Sequence, residues 1–201
     1  MSNNEYQFTT QWRVKSSVTE LSELLGNAPD LVRWWPSVYL DVQQLEPGDE
    51  RGIGRVIALY TKGWLPYTLN WQFRVSQSRH PYGYTIEAWG DFVGRGEWTF
   101  APDGEYVIAT YDWQIRVEKP LLRLLSPILK PVFAANHLWA MRMGEKSLQL
   151  ELARRHAASP RDRAMVPAPP QPISPVPFYL GAAACLLLLI WLFRPRNIDT
   201  E

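Results

Sequence analysis

The 201-residue chain has one cysteine and three histidines, none of them placed for metal or redox chemistry. Cys185 lies alone in an apolar run, which excludes an intrachain disulfide and a cysteine metal cluster and leaves the redox compartment open. His80, His137 and His156 are never four apart on a shared helical face, so no metal and no cofactor are expected. Charge bias is missing too, with 21 basic residues against 20 acidic ones. No basic tract interleaved with aromatics is present to neutralise phosphates, so nucleic acid is not expected as a partner. The opening MSNNEYQFTTQW lacks the charged head, apolar middle and small-residue cleavage site of a secretory leader. The globular part is therefore expected to stay in the cytoplasm. No internal repeat is visible.

Aromatic residues, by contrast, are abundant, with ten tryptophans, nine tyrosines and seven phenylalanines. Most of the rings lie before Arg155 at alternating positions. From Leu65 to Val75, Leu65, Tyr67, Leu69, Trp71, Phe73 and Val75 share one face of a strand, and Thr68, Asn70, Gln72 and Arg74 share the other. The same parity places Tyr6, Phe8, Trp12 and Val14 together, and again Val107, Ala109, Tyr111, Trp113, Ile115 and Val117. Rings this large on one sheet face predict an apolar interior that is hollow or deeply grooved.

Two short helices are expected after the first strand. One is capped by Ser16-Ser17 with Glu20 and runs to about Leu25; the other covers Pro29 to Trp34. Six further strands are expected at 38–45, 53–61, 65–76, 82–89, 94–100 and 106–117, joined by turn signals short enough to favour an antiparallel meander. A long helix from roughly Pro131 to Arg155 should follow. Val132, Ala135, Asn136, Trp139, Met143 and Leu150 are expected on its apolar side, widened by Phe133, Ala140 and Leu148, and Arg142, Glu145, Lys146 and Glu151 on its wet side. Pro120, Pro127 and Pro131 predict an irregular or kinked lead-in to that helix.

Beyond residue 156 the composition changes. Residues 157–177 contain seven prolines and few large apolar side chains, which reads as a semi-extended linker. From Phe178 to Phe193 the sequence FYLGAAACLLLLIWLF has no charge in sixteen residues. As a helix it would extend about 24 to 27 Å with its two flanking residues, a short membrane span with aromatic residues near its ends. The expected organisation is a binding domain at 1–156, a linker at 157–177, a transmembrane helix at 178–193 and a polar tail at 194–201. That arrangement is a single-pass, C-terminally anchored membrane protein.

Four stretches carry a family resemblance: RWWPSV at Arg33–Val38, GDF with GRGEW across Gly90–Trp98, YDW at Tyr111–Trp113 and NHLWAMRMGEKSL at Asn136–Leu148. They resemble the SRPBCC superfamily, also called START-like or Bet v 1-like, and in particular its polyketide cyclase/dehydrase branch, over about Tyr6 to Arg155. The resemblance implies an α+β helix-grip fold, a seven-stranded antiparallel sheet wrapped on a long C-terminal helix. It also implies a cavity for lipids, sterols, quinones, polyketides or hormones; only some members are enzymes. Candidate ligand contacts are Trp34, Trp35, Tyr67, Trp71, Trp89, Tyr111, Trp113, Asn136, Trp139 and Met143. A cyclase or dehydrase would need a proton-moving group, for which His137, Asp91 and Asp112 are the candidates. Three readings follow: a membrane-anchored carrier or sensor of a hydrophobic small molecule, an enzyme of the cyclase type, or an interaction module with a filled core.

Overall fold

The computed structural model describes residues 4–177, 179–181, 183 and 184. Strand β1 (Glu5–Lys15) buries Tyr6, Trp12 and Val14 and exposes Gln7, Gln11 and Lys15, as its alternation requires. Helix α1 (Val18–Gly26) starts where the Ser17 hydroxyl accepts the Glu20 backbone N–H at 3.1 Å, and it buries Leu21, Leu24 and Leu25. One 3₁₀ turn (Ala28–Asp30) leads into the single turn of α2 (Leu31–Trp34). Six strands follow: β2 (Tyr39–Glu46), β3 (Val56–Lys62), β4 (Thr68–Ser78), β5 (Gly83–Gly90), β6 (Phe92–Asp103) and β7 (Tyr106–Val117). Each begins and ends within a few residues of the expectation.

The sheet order is β1-β7-β6-β5-β4-β3-β2, antiparallel at every step. Helices α1 and α2 carry the chain from one edge of the sheet to the other, after which short links keep neighbours in sequence adjacent in space. Helix α3 (Pro120–Arg155) crosses the inner face of the sheet. This is the helix-grip arrangement.

Helix α3 differs from expectation in three ways. It is helical from Pro120, through Pro127 and Pro131, instead of opening with an irregular lead-in. Both prolines are exposed, so the carbonyls that lose their i→i−4 partners face water. On the inner side this half is pinned: Ser126 Oγ accepts from Tyr6 Oη at 3.0 Å and donates to the Leu122 carbonyl at 2.8 Å. The second difference is the buried stripe, which is rotated. Asn136, Met141, Gly144, Ser147, Leu148 and Leu152 are buried, while Val132, Trp139, Met143 and Leu150 are half-buried and Ala135 is exposed. Packing distance decides this, because a β-carbon on Gly144 would overlap the indole of buried Trp35. Third, Glu151 is 3% exposed, not solvated, because Arg33 clasps it through two hydrogen bonds at 2.8 and 2.9 Å and Arg155 adds a third at 3.1 Å.

Residues 157–177 include one short exposed helix, α4 (Pro160–Met165), and lie along the domain. Lys62 Nζ donates to the Ile173 carbonyl, and Tyr179 Oη donates to the Pro66 carbonyl at 3.3 Å. The chain is thus brought back to the β3–β4 loop. No helix among the described residues is long and apolar enough to cross a membrane, and most of the expected span at 178–193 lies outside the described residues.

Candidate functional site

The register of the sheet stacks its rings across strands. Trp98 on β6 sits opposite Tyr111 on β7, with ring centroids 4.4 Å apart, and Tyr111 stacks on Trp113 at 5.5 Å. Trp113 in turn meets Trp71 at 5.9 Å and Phe92 at 5.6 Å. Gly96 stands opposite Trp113, and a β-carbon there would come within 2.8 Å of that indole, so the GRGEW segment supplies the room this ring ladder needs.

The ladder does not fill the space under α3. A cavity of about 160 Å³ remains between the sheet and the helix. Trp71, Phe92, Tyr111 and Trp113 wall it from the sheet, Trp35 and Tyr39 close one side, and Phe133, His137, Ala140 and Met141 roof it from α3. Its volume is close to that of engineered apolar cavities of ~150 Å³ that stay dry and admit a benzene-sized guest. It is below the ~300 Å³ at which drug-sized pockets begin.

Most polar groups around the cavity are already engaged. Asn136 Oδ1 accepts the backbone N–H groups of Trp64 and Leu65 at 2.8 and 3.2 Å, and its amide nitrogen lies 3.4 Å from Tyr67 Oη. Trp71 Nε1 donates to Thr61 Oγ1 at 3.0 Å. Asp91 accepts from Lys119 Nζ at 2.8 Å and from the Asn70 N–H at 2.9 Å, which ties the β5–β6 turn to the start of α3. Burial, helped by Tyr6 and opposed by the Asn136 hydrogen bond, raises the Tyr67 phenol to about 12, so it stays protonated.

His137 is different. Its ring stacks on Phe8 with centroids 4.0 Å apart, and Nε2 is sealed from solvent with no hydrogen-bond partner in the structure. Burial lowers its pKa to about 4, so the imidazole is neutral at pH 7. The His137 ring lines the cavity, but its unpartnered nitrogen is buried, as is Nε1 of Trp35, another lining residue. Among the described residues no group of three His, Cys, Asp or Glu side chains is arranged to hold a metal ion.

Of the ligand contacts expected from sequence, Trp35, Tyr67, Trp71, Tyr111, Trp113 and Asn136 lie on this cavity, as do His137 and Asp91. The others do not. Trp34 is fully buried behind Trp35, with centroids 5.7 Å apart, and Trp89 is 37% exposed at the end of β5. Trp139 and Met143 are half-buried away from the chamber because of the rotation of α3, and Asp112 points outward, where Thr9 donates to it at 2.6 Å. Sequence reasoning left Phe8, Tyr39, Phe92, Phe133 and Met141 off the list of contacts. Phe8 was within reach, since it shares the inward parity of Tyr6 and Trp12. Met141 was not, because its position depends on how α3 is rotated.

The geometry defines a class: a helix-grip domain with a small aromatic cavity between sheet and long helix. Solved structures share the fold. The chain is similar to TTHA0849 of Thermus thermophilus, with a TM-score of 0.58 at 13% identity over 71% of this chain and 96% of that one. It is similar to the Zhui aromatase/cyclase of Streptomyces sp. R1128, with a TM-score of 0.56 at 17% identity over 77% and 97%. It also resembles the di-domain ARO/CYC StfQ of the steffimycin pathway, with a TM-score of 0.53 at 14% identity over 70% of this chain and 49% of that one. Identities this low establish a common fold and leave the chemistry to the site. No protein-family model matches the sequence, and no curated protein matches it.

Proposed function

We propose that residues 1–156 form a binding domain for one hydrophobic small molecule, acting as a carrier or sensor tethered to a membrane. In this reading residues 157–177 are the tether, the uncharged run 178–193 is the span and 194–201 is a polar tail. The observation that carries the binding reading is the cavity of about 160 Å³, ringed by aromatic side chains. A guest that fits has a flat or narrow apolar part about the size of one ring. A larger lipid or polyketide-like molecule would enter by one end, the remainder leaving past the polar rim at Lys62 and Asp91. A membrane tether suits such a guest, because a molecule that partitions into lipid is concentrated where the tether holds the domain.

Solvent extraction of the full chain purified in detergent, followed by mass spectrometry, tests this reading. A defined apolar molecule should copurify, and Ala140→Phe, which fills the chamber from the roof, should lower its recovery at least tenfold with little change in thermal stability. Equal recovery from both proteins, or none from either, overturns it. The likeness to a named aromatase/cyclase and the placement of His137 favour a second reading, in which the imidazole is the base of a cyclisation. Two features weigh against it. A base with a pKa of about 4 is weak at neutral pH, and Asp112 is on the outer face.

A further inference from the structure

The first half of α3 has two apolar faces. One lines the cavity through Leu122 and Phe133. The other is in solvent: Leu121, Leu124 and Ile128 are 63%, 75% and 79% exposed, and Pro127, Pro131 and Ala135 continue the same strip at helical spacing. A soluble surface helix normally shows water the opposite pattern.

Charge and position identify what covers the strip. Between Glu118 and Glu145 there is no acidic residue, while Lys119, Arg123 and Lys130 follow one another along a single flank of the strip. Arg116 and Arg123 pair with Glu118, Glu5 also acts on Arg116, Lys119 pairs with Asp91, and Lys130 lies 5.3 Å over the Tyr6 ring, so four cations stand against three carboxylates in this region. Apolar side chains bordered by cations suit an interface with anionic headgroups. The strip begins where β7 ends, at the same end of the sheet as the β3–β4 loop. That loop receives, at Pro66, the hydroxyl of Tyr179, the second residue of the uncharged run.

We propose that the exposed face of Leu121, Leu124 and Ile128 lies on an anionic lipid bilayer, with Arg123 and Lys130 at the headgroups, so that this half of α3 separates lipid from the binding chamber. This goes beyond the carrier reading and rests on its membrane tether only for the nearness of the bilayer. Guest molecules then pass between bilayer and cavity along one helix without crossing water.

The test uses the full chain, with Cys185→Ser and a single Leu124→Cys carrying an environment-sensitive fluorophore. It is reconstituted in phosphatidylcholine vesicles containing a lipid-borne quencher, with or without phosphatidylserine. Gln77→Cys, exposed at the far end of β4, is the control. The label at position 124 should be quenched and the label at position 77 should not, and phosphatidylserine should strengthen the effect. Arg123→Glu with Lys130→Glu should weaken the preference for phosphatidylserine by about fivefold for each cation removed. Leu121→Asp with Ile128→Asp should abolish quenching, and both sites are exposed enough for the domain to fold unchanged. Equal quenching at the two label positions overturns the proposal, as does disulfide pairing of unlabelled Leu124→Cys between two copies without lipid contact. Carbonate extraction of the same vesicles reads the tether separately. Protein that is released while its strip is quenched sinks the span and keeps the docking; protein retained with an unquenched strip does the reverse.

Discussion

Unfolded, the His137 imidazole takes a proton near pH 6.5; folded against Phe8, it does so only near pH 4. Between those values the unfolded chain binds the extra proton, so the native state loses stability as pH falls below about 6.5, and the loss levels off below about 4. Replacement by a ring that cannot titrate removes this slope. In His137→Phe the drop in unfolding free energy from pH 7 to pH 5, measured by urea denaturation, should be smaller than in the parent by about 1–2 kcal/mol. Asn136 lies one position earlier in α3, yet its role is local: it holds the β3–β4 loop closed over the cavity by capping two backbone N–H groups.

Helix α3 combines elements with opposing demands. Gly144 lets it pack closely on Trp35 at the end of α2, while Pro127 and Pro131 weaken its own ladder where it covers the chamber. Both prolines are exposed, so Pro127→Ala with Pro131→Ala restores two backbone hydrogen bonds without disturbing the core. The double variant should be more stable by roughly 2–4 kcal/mol in chemical denaturation, and it should release a bound guest more slowly in stopped-flow exchange. Unchanged exchange with raised stability would place the route of entry elsewhere. The outward apolar strip is an element-scale feature as well, since no single leucine on it is unusual for a protein surface.

Across the whole molecule, Glu151 joins the end of α3 to α2 through Arg33, two segments far apart in sequence. Burial opposes its ionisation, but the hydrogen bonds and charges of Arg33 and Arg155 outweigh that and hold its pKa below the ordinary carboxylate value. A depressed carboxylate stabilises the fold above its unfolded pKa, and that stability is lost as pH falls through the folded value. Glu151→Gln should therefore cost roughly 1–2 kcal/mol at pH 7, a figure reduced because Arg33 is half-exposed, and the gap to the parent should close in acid. Thermal melts at pH 7 and pH 3 measure both quantities.

The strands and their inward faces were legible because alternation is local: each residue's side is set by its immediate neighbours on an extended backbone. Turn residues set the order of the sheet in the same way, and the bulk of the rings on one face announced an interior too large to close neatly. The rotation of α3, the burial of Glu151 and the inclusion of Met141 in place of Met143 were not legible. A helix side chain's exposure depends on what meets it, and glycine, which a hydropathy pattern counts as neutral, is needed at position 144 for its small size against Trp35. Composition and periodicity alone therefore determined a seven-stranded sheet, a long covering helix and an aromatic inner face. Tertiary packing alone decided that about 160 Å³ is left open and which rings border it, because a void is the difference between the positions of distant surfaces and no one segment encodes it.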